Sequence, residues 1–266
     1  MRKIKLVSCI ILLVSFIFFS CKKETKVIYK NAVLDSAYIS ITNASPSISN
    51  LLFYVDNNFV PLPDSPFSFG STTFQTYINN GNEINPIIRQ LPYIKIPTGY
   101  NQLQFNSQSP GALFSVNGNF ISGASYSLFI TDSVAHGQAK CILVQDLIGN
   151  ADTAHGQLRF INLSPDAPPL DLYAYSYTTN DGYKLIFSNS GYLPNDYNST
   201  VNAQTFKIMA AGPYDLILTE SGSSTALLAG GLMIDPKGVT TIYTRGFVNG
   251  TGANTLDVGI YSFLQQ

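Results

Sequence analysis

The feature that most constrains the fold is an internal repeat, in which one pattern of strands and turns occurs twice. An Asn-x-Ser-Pro turn begins at Asn43 in the first copy and at Asn162 in the second copy. In both copies an apolar, strand-like segment precedes this turn, and another begins within a few residues of it. Proline fixes φ, and Asn and Ser side chains bond to their own backbone, so both sites are predicted turns. A pattern that recurs along the chain predicts two structural units of the same kind.

The rest of each copy has the pattern of an all-β protein. Segments with apolar residues at every second position, such as 103–105 and 214–218, alternate with turns rich in Gly, Pro, Asn and Ser. No stretch after the N-terminal apolar run has a clear helical period. Short strands at this spacing predict two tandem antiparallel β-sandwich domains, 36–146 and 156–266, joined by a linker over 147–155.

The N-terminus has the pattern of an export signal. A short basic segment, 2–5, precedes the apolar run Leu6–Ser20, and Cys21 begins a polar region. The run is shorter than the roughly 20 residues of a membrane-spanning helix. The small Ser20 directly before Cys21 resembles the lipobox, the cleavage signal of bacterial lipoproteins. The pattern therefore predicts a signal peptide over 1–20, an acylated Cys21 and a tether over 21–35.

An acylated Cys21 would make the lipid bilayer the first partner of the chain. A diacylglyceryl thioether together with a fatty acyl group such as palmitate on the new amine would supply enough chains for firm anchoring. The expected location is the outer membrane, on either its surface or its periplasmic face. An uncleaved anchor and ordinary signal cleavage are the alternatives.

The openings of the two copies resemble a family of domains of unknown function, DUF4397. Its members begin with a strand, an Asn/His-x-Ser-Pro-Asp-Ala-Pro turn and a strand of the type Val-Asp-Val-Tyr. The second copy matches through 162–168 and 170–173, whereas in the first copy 47–49 replace Asp-Ala-Pro and Leu52 replaces the aspartate. The resemblance extends over about 37–265. It implies immunoglobulin-like sandwiches in a cell-envelope setting, typical of Bacteroidetes-type bacteria, and it implies no activity.

The residues that carry enzyme chemistry are sparse. His136 and His155 lack further ligands at the spacing of a metal site, and no nucleophile motif or phosphate-binding glycine loop is present. We therefore expect no catalytic residues, metal or cofactor. A hydrolase with two carboxylates about 5–9 Å apart is the alternative, since such a pair meets only in the fold. Asp166 and Asp171 are interpreted as structural residues, with a calcium site as the alternative.

Charge and cysteine content argue against two further functions, nucleic-acid binding and thiol chemistry. Acidic and basic side chains number 16 and 15, and only 12% of residues are charged, so a nucleic-acid partner is not expected. Cys141 lies in an apolar strand-like run without a neighbouring positive charge. This position predicts a buried structural thiol, not a reactive one.

Two long insertions rich in aromatic residues, 60–91 and 174–198, are the candidates for a binding surface. Long connections are often functional, and tyrosines form contact surfaces at low entropic cost. The second insertion gives the candidate residues Tyr175, Tyr177, Tyr183, Tyr192 and Tyr197. The alternative is that both insertions are edge strands whose aromatic rings pack on the sandwich.

Three Asp-Ser/Thr tripeptides resemble O-glycosylation sites of Bacteroidetes-type bacteria, with Ser36, Ser133 and Thr153 as acceptors. The sequence as a whole predicts a non-enzymatic envelope lipoprotein that binds an unknown protein or glycan. A passive spacer is the remaining alternative.

Overall fold

The computed structural model describes residues 35–45, 48, 51–61, 93–107, 113–132, 139–193 and 206–264. The predicted signal peptide, Cys21 and the tether up to Leu34 lie outside these residues, as does nearly all of the first aromatic insertion. Among the described residues, no helix is long and apolar enough to cross a membrane.

The described chain forms sixteen strands and one short 3₁₀ helix, Gly252–Asn254. The strands of the first copy are β1 Ser36–Asn43, β2 Leu51–Val55, β3 Asn58–Val60, β4 Ile94–Pro97, β5 Gly99–Ser107, β6 Leu113–Phe120, β7 Ser125–Asp132 and β8 Ala139–Gln145. Those of the second copy are β9 His155–Asn162, β10 Leu170–Ser176, β11 Tyr183–Ser190, β12 Lys207–Ala210, β13 Gly212–Glu220, β14 Ala226–Ile234, β15 Gly238–Arg245 and β16 Asp257–Leu264.

The sheet order confirms the repeat. The first copy forms sheets β4-β1-β7-β8 and β3-β2-β5-β6, and the second forms β12-β9-β15-β16 and β11-β10-β13-β14. Adding eight to each strand number of the first copy gives the order in the second. The predicted all-β fold with two sandwiches is confirmed.

One sheet in each copy is mixed, because it contains one parallel pair of strands. β1 pairs with β7 in parallel, with Ser40 opposite Ser127. β9 pairs with β15 in the same way, with Arg159 opposite Thr241. A parallel pair needs a long crossover, and five strands separate the partners in each copy. Neighbouring segments of the sequence therefore do not reveal this pairing.

The Asn-x-Ser-Pro turns link each first strand to the end of the seventh. The Asn43 side-chain oxygen accepts from the Ser45 backbone N–H at 3.0 Å, and Asn162 and Ser164 repeat this bond at 3.1 Å. The Ser45 hydroxyl then donates to the Asp132 carboxylate. The predicted bond from the asparagine side chain to the turn backbone is confirmed. The serine hydroxyls bond to the end of a distant strand instead.

The four sheets stack as four layers with three apolar cores. One core lies between the two sheets of each copy. A third lies between the inner sheets, β4-β1-β7-β8 and β12-β9-β15-β16, and includes Phe129, Ile161, Tyr243 and Tyr261. Every residue of β15 is buried because apolar layers cover both faces of its sheet. The two sandwiches thus belong to one compact unit, 35–266.

Cys141 belongs to the core of the first copy and is 8% exposed. Burial raises the pKa of its thiol well above the ordinary value. The prediction of a buried structural cysteine is confirmed.

Candidate binding surface

Three of the five candidate tyrosines come together on the outer sheet of the second copy. Tyr175 lies on β10 opposite Tyr183 of β11, and Tyr177 follows the end of β10. The ring centroids of Tyr175 and Tyr177 are 5.1 Å apart at an interplanar angle of 89°, and those of Tyr175 and Tyr183 are 5.6 Å apart. We call Tyr175, Tyr177 and Tyr183 the tyrosine surface.

The connection between β10 and β11 is what brings the tyrosines together. Asn180 and Gly182 adopt positive φ angles of 53° and 87°, which Asn tolerates better than most residues and Gly adopts freely. The Asn180 backbone N–H donates to the Ser176 carbonyl at 2.9 Å. The chain can therefore reverse and place Tyr183 across from Tyr175.

Asp215 contacts the tyrosine surface from β13, which lies on the other side of β10 from β11. The Tyr177 hydroxyl donates to the Asp215 carboxylate at 2.6 Å. This hydrogen bond, followed by partial burial and the charge of Asp215, raises the pKa of Tyr177 to about 12. Burial and the Asp215 charge also raise the pKa of Tyr183. Near neutral pH both groups are thus protonated phenols.

The surface is open to solvent and backed by a sheet. Tyr177 and Tyr183 are 51% and 48% exposed, as is the neighbouring Leu185 at 48%. Lys184 and Asp181 form an exposed ion pair beside the rings. Chemically, the site offers aromatic faces, phenol oxygens and a small apolar area on a rigid support. These groups suit non-covalent contact.

The structure places Tyr192 elsewhere. Its hydroxyl donates to the Asp132 carbonyl of the first copy at 2.9 Å, and the Lys140 ammonium lies 6.0 Å from its ring centroid. Tyr192 therefore joins the two copies and is separate from the tyrosine surface. Tyr197 lies outside the described residues.

The second insertion is partly an exposed surface and partly an edge strand that packs on the sandwich, so each of the two interpretations made from the sequence holds for some of its residues. β11 is an edge strand of the outer sheet, and its Phe187 ring packs toward the core at 6.2 Å from the ring centroid of Phe160. Tyr183 and Leu185 of the same strand are exposed.

The three candidate glycosylation residues differ in position. Ser36 is partly exposed at the start of β1, and Thr153 is exposed in the turn before β9. Ser133 lies outside the described residues. Glycosylation at these sites stays a prediction.

Asp166 and Asp171 each fasten loops in the second copy. Asp166 accepts from the backbone N–H groups of Val248 and Asn249 at 2.7 and 3.2 Å. Asp171 accepts from those of Asn189 and Gly222 at 2.7 and 3.0 Å. Burial opposes ionisation of Asp171, but these hydrogen bonds lower its pKa below the ordinary value. The geometry supports the structural interpretation of both residues.

Outside these loops, the described histidine is part of a turn. His155 Nδ1 lies 2.6 Å from an Asp152 carboxylate oxygen, and both side chains are exposed. His136 lies outside the described residues. Within the ranges that the structure describes, no three residues of the types His, Cys, Asp and Glu form a group able to hold a metal ion.

Sequence reasoning missed a buried ion pair between the two copies. The Arg159 guanidinium on β9 contacts the Asp146 carboxylate, which follows β8, at 2.5 Å. The exposed fractions of their side chains are 1% and 0%. Arg159 stands in the run Leu158-Arg159-Phe160 of a strand predicted to be apolar, and a lone arginine in such a run was the available signal.

Side chains from both copies complete the hydrogen bonding of this pair. Arg159 Nη2 donates to the hydroxyl oxygens of Ser127, Thr241 and Tyr261 at 2.9, 3.0 and 3.0 Å. The Ser127 hydroxyl also lies 2.8 Å from the Asp146 carboxylate. We call Arg159, Asp146, Ser127, Thr241 and Tyr261 the central polar cluster.

The surroundings of Arg159 favour its charged form. Burial, the largest single influence, would lower the pKa of Arg159. The charge of Asp146, the nearby Tyr261 and Tyr93 phenols and the hydrogen bond to Asp146 together outweigh it, so the pKa lies above its ordinary value. The guanidinium carbon also lies 4.4 Å from the ring centroid of Phe206 and 5.7 Å from that of Phe129. A charged arginine is therefore enclosed by a carboxylate, hydroxyls and aromatic faces.

Comparison with known proteins gives a family match and weak structural likenesses. The model of the family "Domain of unknown function (DUF4397)" matches residues 37–173, from the first strand of the first copy to β10 of the second. No curated protein matches the chain.

Two solved structures are similar at low identity. "The Bacillus anthracis TIE protein" is 11% identical with a TM-score of 0.21, and the alignment covers 81% of this chain and 34% of that one. The chain thus spans about a third of the length of that structure. "Alpha-glucan binding by a streptococcal virulence factor" is 9% identical with a TM-score of 0.23, covering 78% of this chain and 92% of that one.

Proposed function

Because the chain belongs to the DUF4397 family of domains of unknown function, we propose a function from its own residues. The protein is a non-enzymatic, lipid-anchored module of the bacterial cell envelope, and its tyrosine surface binds an envelope protein or glycan. The observation that carries the proposal is the tyrosine surface itself: three clustered rings, two of them about half exposed, on a sheet backed by an apolar core.

The chemistry of the tyrosine surface supports binding. Tyrosine is enriched at interfaces because it combines a large apolar ring with a hydroxyl and loses little side-chain entropy. The hydrogen bond from Tyr177 to Asp215 fixes one ring before any partner arrives, which lowers the ordering cost of association. A preformed aromatic surface of this kind suits an envelope protein or a glycan.

The proposed anchor rests on Cys21 and the segment before it. Several acyl chains on one terminus hold a protein to a bilayer far more firmly than one chain does. An anchored body with an exposed recognition surface would meet partners held in the same envelope. The outer membrane, on its outer or inner face, is the proposed location.

Cys21→Ser is expected to release the protein from the membrane or to stop its processing. Serine lacks the thiol that carries the diacylglyceryl group. Fractionation of cells and intact-mass measurement of the membrane-bound protein test this expectation. A wild-type mass without acyl groups, or retention of the variant at the processed size in the membrane, would contradict the anchor.

Tyr177→Ala and Tyr183→Ala are each expected to weaken binding about tenfold, the effect of a central interface residue worth about 1.4 kcal/mol. Binding is measured by co-sedimentation of the purified protein with washed cell-envelope fragments at increasing concentration. Tyr177→Phe, which keeps the ring but loses the bond to Asp215, should fall between wild type and Tyr177→Ala. Ile208→Ala is the matched control, because Ile208 is 60% exposed on β12 of the other sheet. Equal binding by all variants would overturn the assignment of this surface.

A further inference from the structure

The outer sheet of the first copy, β3-β2-β5-β6, contains no Asp, Glu, Lys or Arg in any of its strands. Sheets with one solvated face usually carry polar and charged residues there, and edge strands in particular often carry lysine. The inner face of this sheet has an ordinary apolar pattern, with Phe53, Leu103 and Phe105 in the core. The unusual composition therefore concerns the outer face.

Strand alternation assigns the side chains of that outer face. On β5 the buried Leu103 and Phe105 alternate with Gln102 and Gln104, and on β6 the exposed residues are Ser115, Asn117 and Asn119. We call the outward-facing set the amide face. Its members are Leu52, Tyr54, Phe59, Tyr100, Gln102, Gln104, Asn106, Ser115, Asn117 and Asn119.

Cross-strand register places amides and rings in rows. Tyr54 lies opposite Phe59 on one side and Gln104 on the other, while Gln102 pairs with Asn117. The ring centroids of Tyr54 and Phe59 are 5.6 Å apart in an edge-to-face arrangement. At the end of β5, Tyr100 is 73% exposed and pairs with Asn119. The amide side chains therefore lie between two groups of aromatic rings. Tyr54 and Phe59 lie beside Gln104, and Tyr100 lies about 13 Å from Gln104 along β5.

The amides hold one another in place. Gln104 Nε2 donates to the side-chain oxygens of Asn57 and Gln102 at 3.1 and 2.8 Å. The carboxylate of Asp56, in the turn between β2 and β3, accepts from the Gln102 backbone N–H at 2.8 Å. This acidic group is therefore directed at the backbone of the sheet and engaged there.

We propose that the amide face binds a neutral polysaccharide. Each Asn or Gln side chain presents both donors and an acceptor, which matches sugar hydroxyls because they also donate and accept. Aromatic rings supply apolar faces for the carbon–hydrogen faces of sugar rings. The strands of this sheet carry no charged side chain, and the neighbouring Asp56 carboxylate would repel an acidic polysaccharide, so electrostatic complementarity favours an uncharged one. This site is independent of both the tyrosine surface and the lipid anchor.

The proposal is tested by native gel electrophoresis of the purified full-length chain through gels that contain a polysaccharide. Hydroxyethyl cellulose, xyloglucan, galactomannan, starch and dextran are the neutral probes, and carboxymethyl cellulose is the anionic counterpart of the first. Retardation by at least one neutral probe and none by the anionic one is expected. Tyr100→Ala and Asn117→Asp should each weaken the retarding affinity roughly tenfold, since one lost ring contact or hydrogen bond has about that effect.

Matched controls separate this site from a general effect. Ile208→Ala removes another exposed large apolar side chain, and Asn254→Asp makes the same amide-to-acid change at an exposed position outside this sheet. Both should migrate like wild type. Migration unchanged by all the neutral probes, or equal retardation of Asn117→Asp and wild type, overturns the proposal. A dimer in sedimentation velocity that Asn117→Asp abolishes would assign the face to a second copy of the chain, and would also overturn it.

Discussion

Arg159→Met is expected to lower the free energy of unfolding by about 3–5 kcal/mol, the cost of removing one partner of a buried ion pair. Methionine approximates the aliphatic part of the arginine side chain, so the main change is the loss of charge and of donors. Asp146 would then stay buried opposite an apolar group. The hydroxyls of Thr241 and Tyr261 would each lose the guanidinium that they contact. Equilibrium unfolding in urea, followed by far-ultraviolet circular dichroism, measures the change.

Two further variants show whether the effect comes from an unpaired charge. Arg159→Met combined with Asp146→Leu removes both charges and should recover a large part of the lost stability. Lys184→Met breaks the exposed pair with Asp181 and should change the stability little, because solvent screens that pair. A double variant as unstable as Arg159→Met alone would contradict the explanation.

Phe129→Ala is expected to lower the free energy of unfolding by about 3–5 kcal/mol and to affect both sandwiches together. Phe129 is fully buried on β7 of the first copy. Its ring lies against Tyr243 and Tyr261 of the second copy, with centroid distances of 6.3 and 6.5 Å. Alanine would leave a cavity between the two inner sheets.

Hydrogen exchange measured by mass spectrometry checks the extent of this change. Peptides from β7 and β15 should lose protection by similar amounts, because the cavity weakens one shared core. Ile208→Ala, at an exposed position on β12, should leave protection in both sheets unchanged. Loss confined to peptides of the first copy would contradict coupling between the sandwiches.

The repeat made much of the fold predictable from the sequence. The Asn-x-Ser-Pro turns and the alternating segments indicated short strands, and the strand-like run around Cys141 forms β8. The burial of both faces of each inner sheet could not be predicted from the repeat. A continuous apolar run is compatible with several kinds of buried element, and it does not identify the second layer that covers it.

The partner of Arg159 could not be read from the sequence either. Asp146 is the last residue of the first predicted domain, and the contact exists only because two sheets meet face to face. The tyrosine surface was predicted as part of a larger group. The turn at Asn180 and Gly182 brings three of those residues together. The bond from Tyr192 to Asp132 commits Tyr192 to the junction of the copies.

The core between the two inner sheets determines whether one sandwich can exist without the other. Cutting the chain between β8 and β9 would strip one side of each inner sheet, exposing residues such as Phe129, Ile142 and Ile161 to water. Large exposed apolar patches favour aggregation or a replacement partner. A single sandwich is therefore not expected to form a well-behaved domain by itself, although it has a full set of eight strands. The exchangeable unit is the pair of sandwiches.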